Sequence, residues 1–405
     1  MNGFNRRGGQ FLFLNLGHLY SHLFMLLYAT AVVAMVADSA FQGSYGFLLA
    51  LSTASFVAFG AGSLPASWLG DKWSRHGMMT VFFIGIGVSS ILTGLAGGPV
   101  SVAICLFAIG IFASIYHPVG IAMVAENSRS LGKELGINGV FGNLGVAMAA
   151  IVAGTLTDLI SWRAAFIIPG VVSILTGIAY LVFSRNAPAP HARARTDTFI
   201  GATRTEARRA IAVVILASVP GTLIFNATTN VLPKVFEERL GALAPSLSQV
   251  GMWVFVVFVV ASIAQVLTGM LLDRYRLKPI YVVAVIFQVP TICFVAYAHH
   301  LGMLGAAAAM MFVVFSIIPI HDTLIARFTV QEYRSRIFAL KYLAGLCAGT
   351  AALPLVGWLH ADRGGFEAVF LVLAAFAICE ALISLCLPTR DPLSQMTPGC
   401  TDRKQ

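Results

Sequence analysis

Long apolar runs separated by short polar segments repeat along the whole chain. A helix that crosses a bilayer needs roughly 20 consecutive apolar residues, because each residue rises about 1.5 Å and the hydrocarbon core is about 30 Å thick. Twelve runs reach this length, and each predicts a transmembrane helix, here called a span. They cover residues 12–36, 44–68, 78–97, 100–124, 135–157, 164–184, 210–232, 247–271, 279–298, 302–325, 337–358 and 366–387.

The composition supports an all-α integral membrane protein. Of the 405 residues, 58% are hydrophobic and only 11% are charged, with a mean hydropathy of +0.85. So few charges cannot cover a soluble body of this size, which excludes a water-soluble enzyme, a disordered chain and a coiled coil. No GxxxxGK[ST] loop, HExxH pattern or Ser-His-Asp pattern is present, and the six cysteines show no metal or redox spacing. We therefore predict no enzyme activity, no cofactor and no metal.

Basic residues are distributed unevenly between the two sides of the predicted bundle. With the N-terminus on the cytoplasmic side, 22 of the 26 Lys and Arg residues fall on that side. An even number of spans returns the chain to its starting side, and cytoplasmic loops carry an excess of Lys and Arg. Both termini are therefore predicted to be cytoplasmic. The net charge of +9 then follows from topology, and no nucleic-acid partner is expected.

The chain divides near its middle into two similar halves. Residues 185–209 are a basic stretch rich in Ala and Pro, which predicts a cytoplasmic linker between a six-helix half at 1–184 and another at 210–387; residues 388–405 form a cytoplasmic tail. Equivalent residues recur at nearly constant offsets of 202, 201 and 204. Such offsets indicate duplication of a six-helix unit. The paired residues are Asp71 with Asp273, Pro118 with Pro319, and Phe166 with Phe370.

Two motifs connect this layout with a known family. The loops at Asp71 and Asp273 are similar to the pattern G-x-L-a-D-r-x-G-r-k, and the segment from Trp162 to Phe166 looks like W-R-x-x-F. The first loop has Ser67 and Ser74 where the pattern has glycines, and the second has Arg276. The chain thus resembles the major facilitator superfamily of secondary transporters. Span four, with its Tyr-His-Pro segment, and the histidines of span one also resemble the fosmidomycin-resistance-like branch of drug/proton antiporters.

The resemblance implies a fold and a cytoplasmic gate. The fold is two pseudo-symmetric six-helix halves that rock about a central site. Asp71 is expected against the start of span eleven and Asp273 against the start of span five, where helix N-termini favour a carboxylate, with Arg336 and Lys133 nearby. A solvated turn is the alternative interpretation. The predicted gate residues are Asp71, Lys72, Arg75, Asp273 and Arg274.

Polar side chains within the spans are the candidates for the substrate and proton pathway, because such groups are expensive in lipid. The family resemblance implies that spans one, four, seven and ten line this pathway. Histidine changes its charge near neutral pH, so His18, His22, His117, His321 and the acid Asp322 are candidates for proton coupling. The pathway candidates are Asn15, His18, His22, Tyr116, His117, Thr222, Asn226, Asn230, His321 and Asp322.

Structural roles for several of these residues remain open at this point. His18 and His22 have the i,i+4 spacing of a metal site, but no carboxylate joins them locally, and each ring could equally hydrogen-bond a neighbouring helix. Asp322 lies five residues from Arg327, with which it could pair at the membrane boundary. Glu380 lies deep in span twelve, where a packing role or a protonated carboxyl is expected.

The predicted function is proton-coupled efflux of small amphiphilic or anionic compounds, driven by the proton gradient. The partners expected are the lipid bilayer, protons and a small-molecule substrate, for a monomer in a bacterial inner membrane. Two alternatives remain: a proton symporter that imports a small organic acid, with Arg163 or a histidine receiving the anion, and a non-transporting receptor. The sequence leaves the substrate open, because one fold serves many substrates.

Overall fold

The structure is a computed structural model that describes residues 3–126, 131–185, 203–329 and 331–389. This part of the chain is helical, without β-strands, and contains twelve helical segments long and apolar enough to cross a membrane. The chain is therefore an integral, multi-pass, all-α membrane protein, as predicted. In order, the twelve spans are Gly3–Met35; Tyr45–Ala50 with Thr53–Lys72; Arg75–Leu95; Pro99–Ala113 with Tyr116–Gly120 and Ile121–Glu126; Leu131–Leu159; Ala164–Ser184; Arg204–Arg239; Leu247–Arg274; Leu277–Tyr297; His300–Phe328; Gln331–Asp362; and Gly365–Leu385.

Two spans depart from a regular α-helix. Span two is interrupted between Ala50 and Thr53, where the Ser52 hydroxyl donates to the Leu49 carbonyl. Span four contains a π-helical turn at Tyr116–Gly120, around Pro118. Proline has no N–H to donate and its ring clashes with the preceding turn, so the helix widens locally. Pro118 therefore lies in a π turn and not in a regular α-helix.

Span seven begins earlier than the hydropathy predicts. Its helix starts at Arg204, within the segment 185–209 that the sequence predicts as a linker. The cause is a capping box: the Thr203 hydroxyl accepts from the Glu206 N–H at 3.2 Å, and the Glu206 carboxylate accepts from the Thr203 N–H at 3.0 Å. These two bonds satisfy donors that a helix start leaves free. Residues 186–202 of this segment and residues 390–405 of the tail lie outside the described residues.

The same pairs of spans pack together in both halves. Spans one and five, two and four, and three and six are neighbours, and so are their counterparts seven and eleven, eight and ten, and nine and twelve. Glycines allow the closest approaches. A Cβ on Gly87 of span three would lie 2.6 Å from the Gly170 carbonyl of span six, and Gly145 of span five lies against the Leu19 carbonyl of span one. This repeated packing is the pseudo-symmetry expected from the duplication.

The two halves meet through spans five and eight and through spans two and eleven. We call the face that holds the start of span one and the end of span twelve the terminal face, and the other the opposite face. At the opposite face, Gly46 of span two touches Gly357 of span eleven, where a Cβ would lie 2.5 Å from the carbonyl oxygen. Gly154 of span five similarly lies against the Leu247 carbonyl at the start of span eight. Backbone therefore meets backbone between the halves on this side.

Candidate functional site

A buried polar network joins spans one, four and five in the first half. The Asn138 side-chain amide donates to the Asn15 oxygen at 2.9 Å, and the Tyr116 hydroxyl lies 3.0 Å from the Asn138 side-chain oxygen. The His18 Nδ1 donates to the Asn138 carbonyl at 2.7 Å. Asn138 is the centre of this network, and in the sequence it stands among the glycines of span five, with no local sign of these partners.

Three histidine rings meet beside this network. His18 and His22 come from one face of span one, and His117 comes from the π turn of span four. The ring centroids are 5.1 Å apart for His18 and His22 and 5.3 Å apart for each of the other two pairs. The Tyr116 ring stacks on His18 at 4.9 Å, and the Phe59 ring meets His117 edge-on at 5.6 Å. The structure thus brings together the histidines of both predicted spans.

The polar stripe of span seven bonds mainly to its own helix. The side-chain amides of Asn226 and Asn230 donate to the carbonyls of Thr222 and Asn226, at 3.0 and 2.9 Å. Span eleven covers this stripe with glycines: a Cβ on Gly345 would lie 2.7 Å from the Thr222 hydroxyl, and a Cβ on Gly349 would lie 2.9 Å from the Asn226 amide nitrogen. The stripe therefore faces the boundary between spans seven and eleven.

The predicted gate residues lie at the terminal face. The Asp71 carboxylate is 62% exposed and accepts from Arg75 at 2.7 Å, one turn along the chain. Lys72, Asp273 and Arg274 are exposed as well. The side chains of Arg336 and Lys133, expected beside the two aspartates, lie outside the described residues. Contact of the aspartates with spans eleven and five remains a prediction.

Asp322 of span ten forms a salt bridge with a residue that the sequence did not suggest. Its carboxylate accepts from the Lys341 ammonium of span eleven at 2.8 Å. Arg327, the partner considered from the sequence, donates to the Leu272 carbonyl of span eight. Asp322 therefore ties two spans of the second half together near the terminal face, and 43% of its side chain stays exposed.

His321, adjacent in sequence, belongs to a buried acid cluster. Its Nε2 lies 2.9 Å from the hydroxyl of Tyr281 of span nine and 3.6 Å from a carboxylate oxygen of Glu380 of span twelve. The Tyr281 hydroxyl also lies 3.3 Å from the same Glu380 oxygen. The Glu380 side chain is fully buried, and its second oxygen has no hydrogen-bond partner. From the sequence we expected a packing role or a protonated carboxyl for Glu380, and its link to His321 appears only in three dimensions.

The Asp158 carboxylate links the two halves at the opposite face. Asp158, at the end of span five, accepts from the backbone N–H groups of Leu247 and Ser248 at 3.3 and 2.6 Å and from the Ser248 hydroxyl at 2.5 Å. These groups open span eight, where backbone donors lack partners within the helix and the helix end is partly positive. Asp158 therefore caps a helix of the other half.

Arg163, considered from the sequence as an anion receptor, has structural partners. Its guanidinium donates to the carbonyls of Gly94 and Ala96 at 3.1 and 2.7 Å, at the end of span three, and lies 3.6 Å from Asp38. Hydrogen bonds from the Ala40 backbone N–H and the Trp162 indole, with the nearby Arg163 charge, hold the pKa of Asp38 below its usual 3.8. Arg163 thus fastens a helix end and a loop.

Comparison with known proteins identifies the family. The Major Facilitator Superfamily model matches residues 14–244 and 240–399. Multidrug resistance protein MdtG of Escherichia coli is 25% identical over 329 residues, which are 78% of each chain. The "Probable sulfoacetate transporter SauU" of Cupriavidus necator is 26% identical over 181 residues, which are 42% of this chain. The chain spans between 25% and 41% of the length of three curated relatives, SauU among them.

A solved structure gives the same fold. A bacterial homologue of the human lysosomal transporter Spinster, in an inward-facing and unoccupied conformation, superposes with a TM-score of 0.79 at 15% identity. The superposition covers 94% of this chain and 98% of that one. At this level of identity the likeness to the solved structure establishes the fold alone. The family is established by the family model, which matches nearly the whole length of the present chain. The chain therefore belongs to the Major Facilitator Superfamily of membrane transporters, and it is not an enzyme.

Proposed function

We propose that this protein exports small amphiphilic or anionic organic compounds in exchange for protons, by alternating access between its two halves. The terminal face is the cytoplasmic face in this proposal, with both termini cytoplasmic in a bacterial inner membrane. The positive-inside distribution of Lys and Arg supports this orientation. The proton gradient is the energy source, and the protein acts as a monomer.

The buried acid cluster of His321, Tyr281 and Glu380 carries the proposal of proton coupling. Within the described residues, Glu380 has no lysine or arginine partner, and one of its oxygens accepts no hydrogen bond. An unpaired charge buried in this way costs several kcal/mol, so the cluster favours binding a proton. Tyr281 lies within hydrogen-bond distance of both His321 and Glu380 and offers a path between them.

Movement of the halves supplies a way to release that proton. His321 is next in sequence to Asp322, which is bound to Lys341 of span eleven. Span eleven also contacts span two of the other half. We propose that rocking of the halves moves Lys341 relative to the cluster, which changes the field at His321 and Glu380 and so favours proton release. Proton binding and access would then alternate together.

Similarity to MdtG supports export, because the match extends over 78% of both chains and that relative is named a multidrug resistance protein. Import of a small organic acid is the second candidate, supported by the partial match to SauU. The role of Arg163 disfavours import through that residue, since its guanidinium is bonded to the carbonyls of Gly94 and Ala96. A receptor without transport is the third possibility, and flux distinguishes it.

The test is reconstitution in vesicles with a pH dye inside and an imposed proton gradient. A panel of amphiphilic drugs and small organic acids is added to the wild type, to Glu380→Gln and to Glu237→Gln. Glu237 is an exposed acid paired with Lys234, so its variant controls for the substitution itself. We expect substrate-evoked proton movement opposite to the substrate in the wild type and the control, and loss of proton movement in Glu380→Gln with substrate exchange retained.

Other outcomes have defined meanings. Proton movement in the same direction as an organic acid would replace export with symport. Unchanged proton coupling in Glu380→Gln would exclude the buried acid cluster as the coupling site. The absence of flux over a broad panel, with correctly folded protein, would favour the receptor.

A further inference from the structure

The three histidines of spans one and four converge on one point. One ring nitrogen from each of His18, His22 and His117 lies within 4.8 Å of the corresponding nitrogens of the other two. The i,i+4 spacing places His18 and His22 one above the other on span one. His117 reaches them from the π turn, a local widening of a helix that is frequent at functional sites.

The hydrogen bonds of this histidine cluster leave nitrogen lone pairs available. The acceptor of the His18 bond is a backbone carbonyl, so Nδ1 holds the proton and Nε2 keeps its lone pair. A metal-bound histidine has the same arrangement, with the other ring nitrogen fixed by a carbonyl or carboxylate. The ring nitrogens of His22 and His117 make no hydrogen bond to any residue in the described part of the chain. Both residues are half-buried, so their ring nitrogens are open to a ligand.

The supporting shell is rigid. The Asn138 carbonyl accepts the hydrogen bond from His18, and the Asn138 side chain is itself held by Asn15 and by the Tyr116 hydroxyl. Gly142 of span five lies against the His18 ring, and a Cβ there would lie 2.6 Å from Nε2. Any larger residue would press on the nitrogen that keeps its lone pair. The ring orientation of His18 is thus fixed from two sides before a ligand arrives.

From this geometry we propose that His18, His22 and His117 bind one divalent transition-metal ion of the class that favours imidazole, such as Zn²⁺, Co²⁺ or Ni²⁺. Zinc bonds to histidine nitrogen at about 2.0–2.1 Å, so tetrahedral ligands lie about 3.4 Å apart, and the widest pair here must close by roughly 1.4 Å. Rotation of the His22 and His117 side chains, which no hydrogen bond to the described residues holds, supplies such a movement. The cluster contains no oxygen ligand, which disfavours Mg²⁺ and Ca²⁺.

Three neutral ligands leave one coordination position and both positive charges of the metal unmatched. Three-histidine zinc sites elsewhere keep this fourth position open for water or a substrate atom. Within a bilayer the double charge favours an anion at that position, because an uncompensated charge is costly there. A metal bound at this cluster would therefore present an anion-binding site to the pathway. The metal site does not depend on the direction of transport or on the acid cluster of the second half.

The first experiment measures binding directly on purified protein stripped with a chelator. Equilibrium dialysis against micromolar Zn²⁺ or Co²⁺, followed by elemental analysis, gives the stoichiometry, and the visible absorption of bound Co²⁺ reports its coordination number. We expect one ion per chain, with the strong absorption of four- or five-coordinate Co²⁺. His22→Gln and His117→Gln each remove a ligand and should weaken binding by more than the roughly 10–100-fold that loss of an outer-shell partner causes.

His300→Asn is the matched control, because His300 is exposed at the start of span ten and outside the cluster. It should bind like the wild type. Zn²⁺ should also raise the thermal unfolding midpoint of the wild type and of His300→Asn, because an ion that binds only the folded state stabilises it, and should leave His117→Gln unchanged. A variant that fails to fold would show this in the metal-free melting curve, and the other ligand variant then decides.

A second arm separates a transported ion from a resident one. Vesicles containing a zinc-sensitive dye are exposed to external Zn²⁺ with a proton gradient of either sign. If the wild type gives a dye response and His22→Gln gives none, the metal is a transported substrate. If the wild type binds the metal but gives no dye response, the metal is a fixed part of the pathway. The proposal is overturned if the wild type retains no ion at micromolar concentration, or if His22→Gln and His117→Gln bind as the wild type does.

Discussion

Removal of the Asp158 carboxylate should favour separation of the halves at the opposite face. Asp158 belongs to span five of the first half, and all three of its bonds described here go to the start of span eight in the second half. Opening of this face must break them. Asp158→Ala removes them in advance, so the closed arrangement loses stability relative to the open one while each half keeps its own packing.

The expected size follows from the geometry of these bonds. Loss of a side-chain cap on free helix donors costs about 0.5–2 kcal/mol, and the charge at the helix end contributes about 0.3–1 kcal/mol at an exposed site. Asp158 is exposed, so water replaces part of what is lost, and we expect about 1–2 kcal/mol in total. A change of that size shifts the ratio of closed to open molecules by about 5–30-fold.

Pulsed electron spin resonance measures this shift as a distance distribution. Spin labels at Ile160 and Leu301, after replacement of the native cysteines, report on the two halves, because both side chains are exposed at the opposite face. Asp38→Ala is the matched control. Asp38 lies on the same face and accepts similar bonds, but its partners Ala40 and Trp162 belong to its own half. We expect a larger long-distance population for Asp158→Ala and the wild-type distribution for Asp38→Ala.

Two results would refute this reasoning. If Asp158→Ala gives the wild-type distribution, the cap does not contribute to holding the halves together. If Asp38→Ala produces the same shift, the effect comes from loss of a surface charge and not from a bond between halves.

Three further outcomes are expected. Asp71→Asn should abolish transport in the vesicle assay while the amount of inserted protein stays constant; normal flux would remove its gating role. Gly46→Val should destabilise the closed arrangement by about 1–3 kcal/mol through overpacking, and the spin labels should then report a longer distance. Gly136→Ala should leave the distance unchanged, because no atom of the described residues lies within contact distance of the added methyl group. The pKa of Asp38 in the folded protein lies below 3.8, so the stability that its carboxylate gives to the fold is complete above that pH and is lost as the pH falls through the folded pKa. The melting temperatures of the wild type and of Asp38→Asn should therefore converge in acid. A difference between them that stays constant with pH would contradict this.

Hydropathy was sufficient for the span count and fold class, because a bilayer allows few ways to satisfy the backbone. The start of span seven is also encoded in the sequence, although hydropathy does not reveal it. Thr203 and Glu206 have capping-box spacing, which marks the start of span seven at Arg204. No proline or charged residue lies at the break in span two near Ser52. The break could not be predicted, because an apolar run looks the same for one helix as for two.

The candidate sites were only partly predictable, because the contacts that define them join distant segments. Histidine spacing indicated that His18 and His22 share a face, but their meeting with His117 depends on how spans one and four pack. Glu380 lies 99 residues from Tyr281 along the chain, so its role in the acid cluster is invisible to local patterns. Asn138 was hidden by its glycine neighbours in the same way. Local chemistry was visible in the sequence, and pairing between helices was not.

The polar stripe of span seven has a consequence for ligand exchange. The carbonyls that accept from Asn226 and Asn230 lie within a helix, where carbonyls also receive backbone N–H groups. When a side-chain amide rotates away, its carbonyl keeps a donor, and the amide can bond to another molecule only if span eleven, which covers it, moves aside. The side-chain amides of span seven can therefore change hydrogen-bond partners without leaving a carbonyl unpaired. Under the proposed function, such a surface would let a substrate bind briefly and then be released.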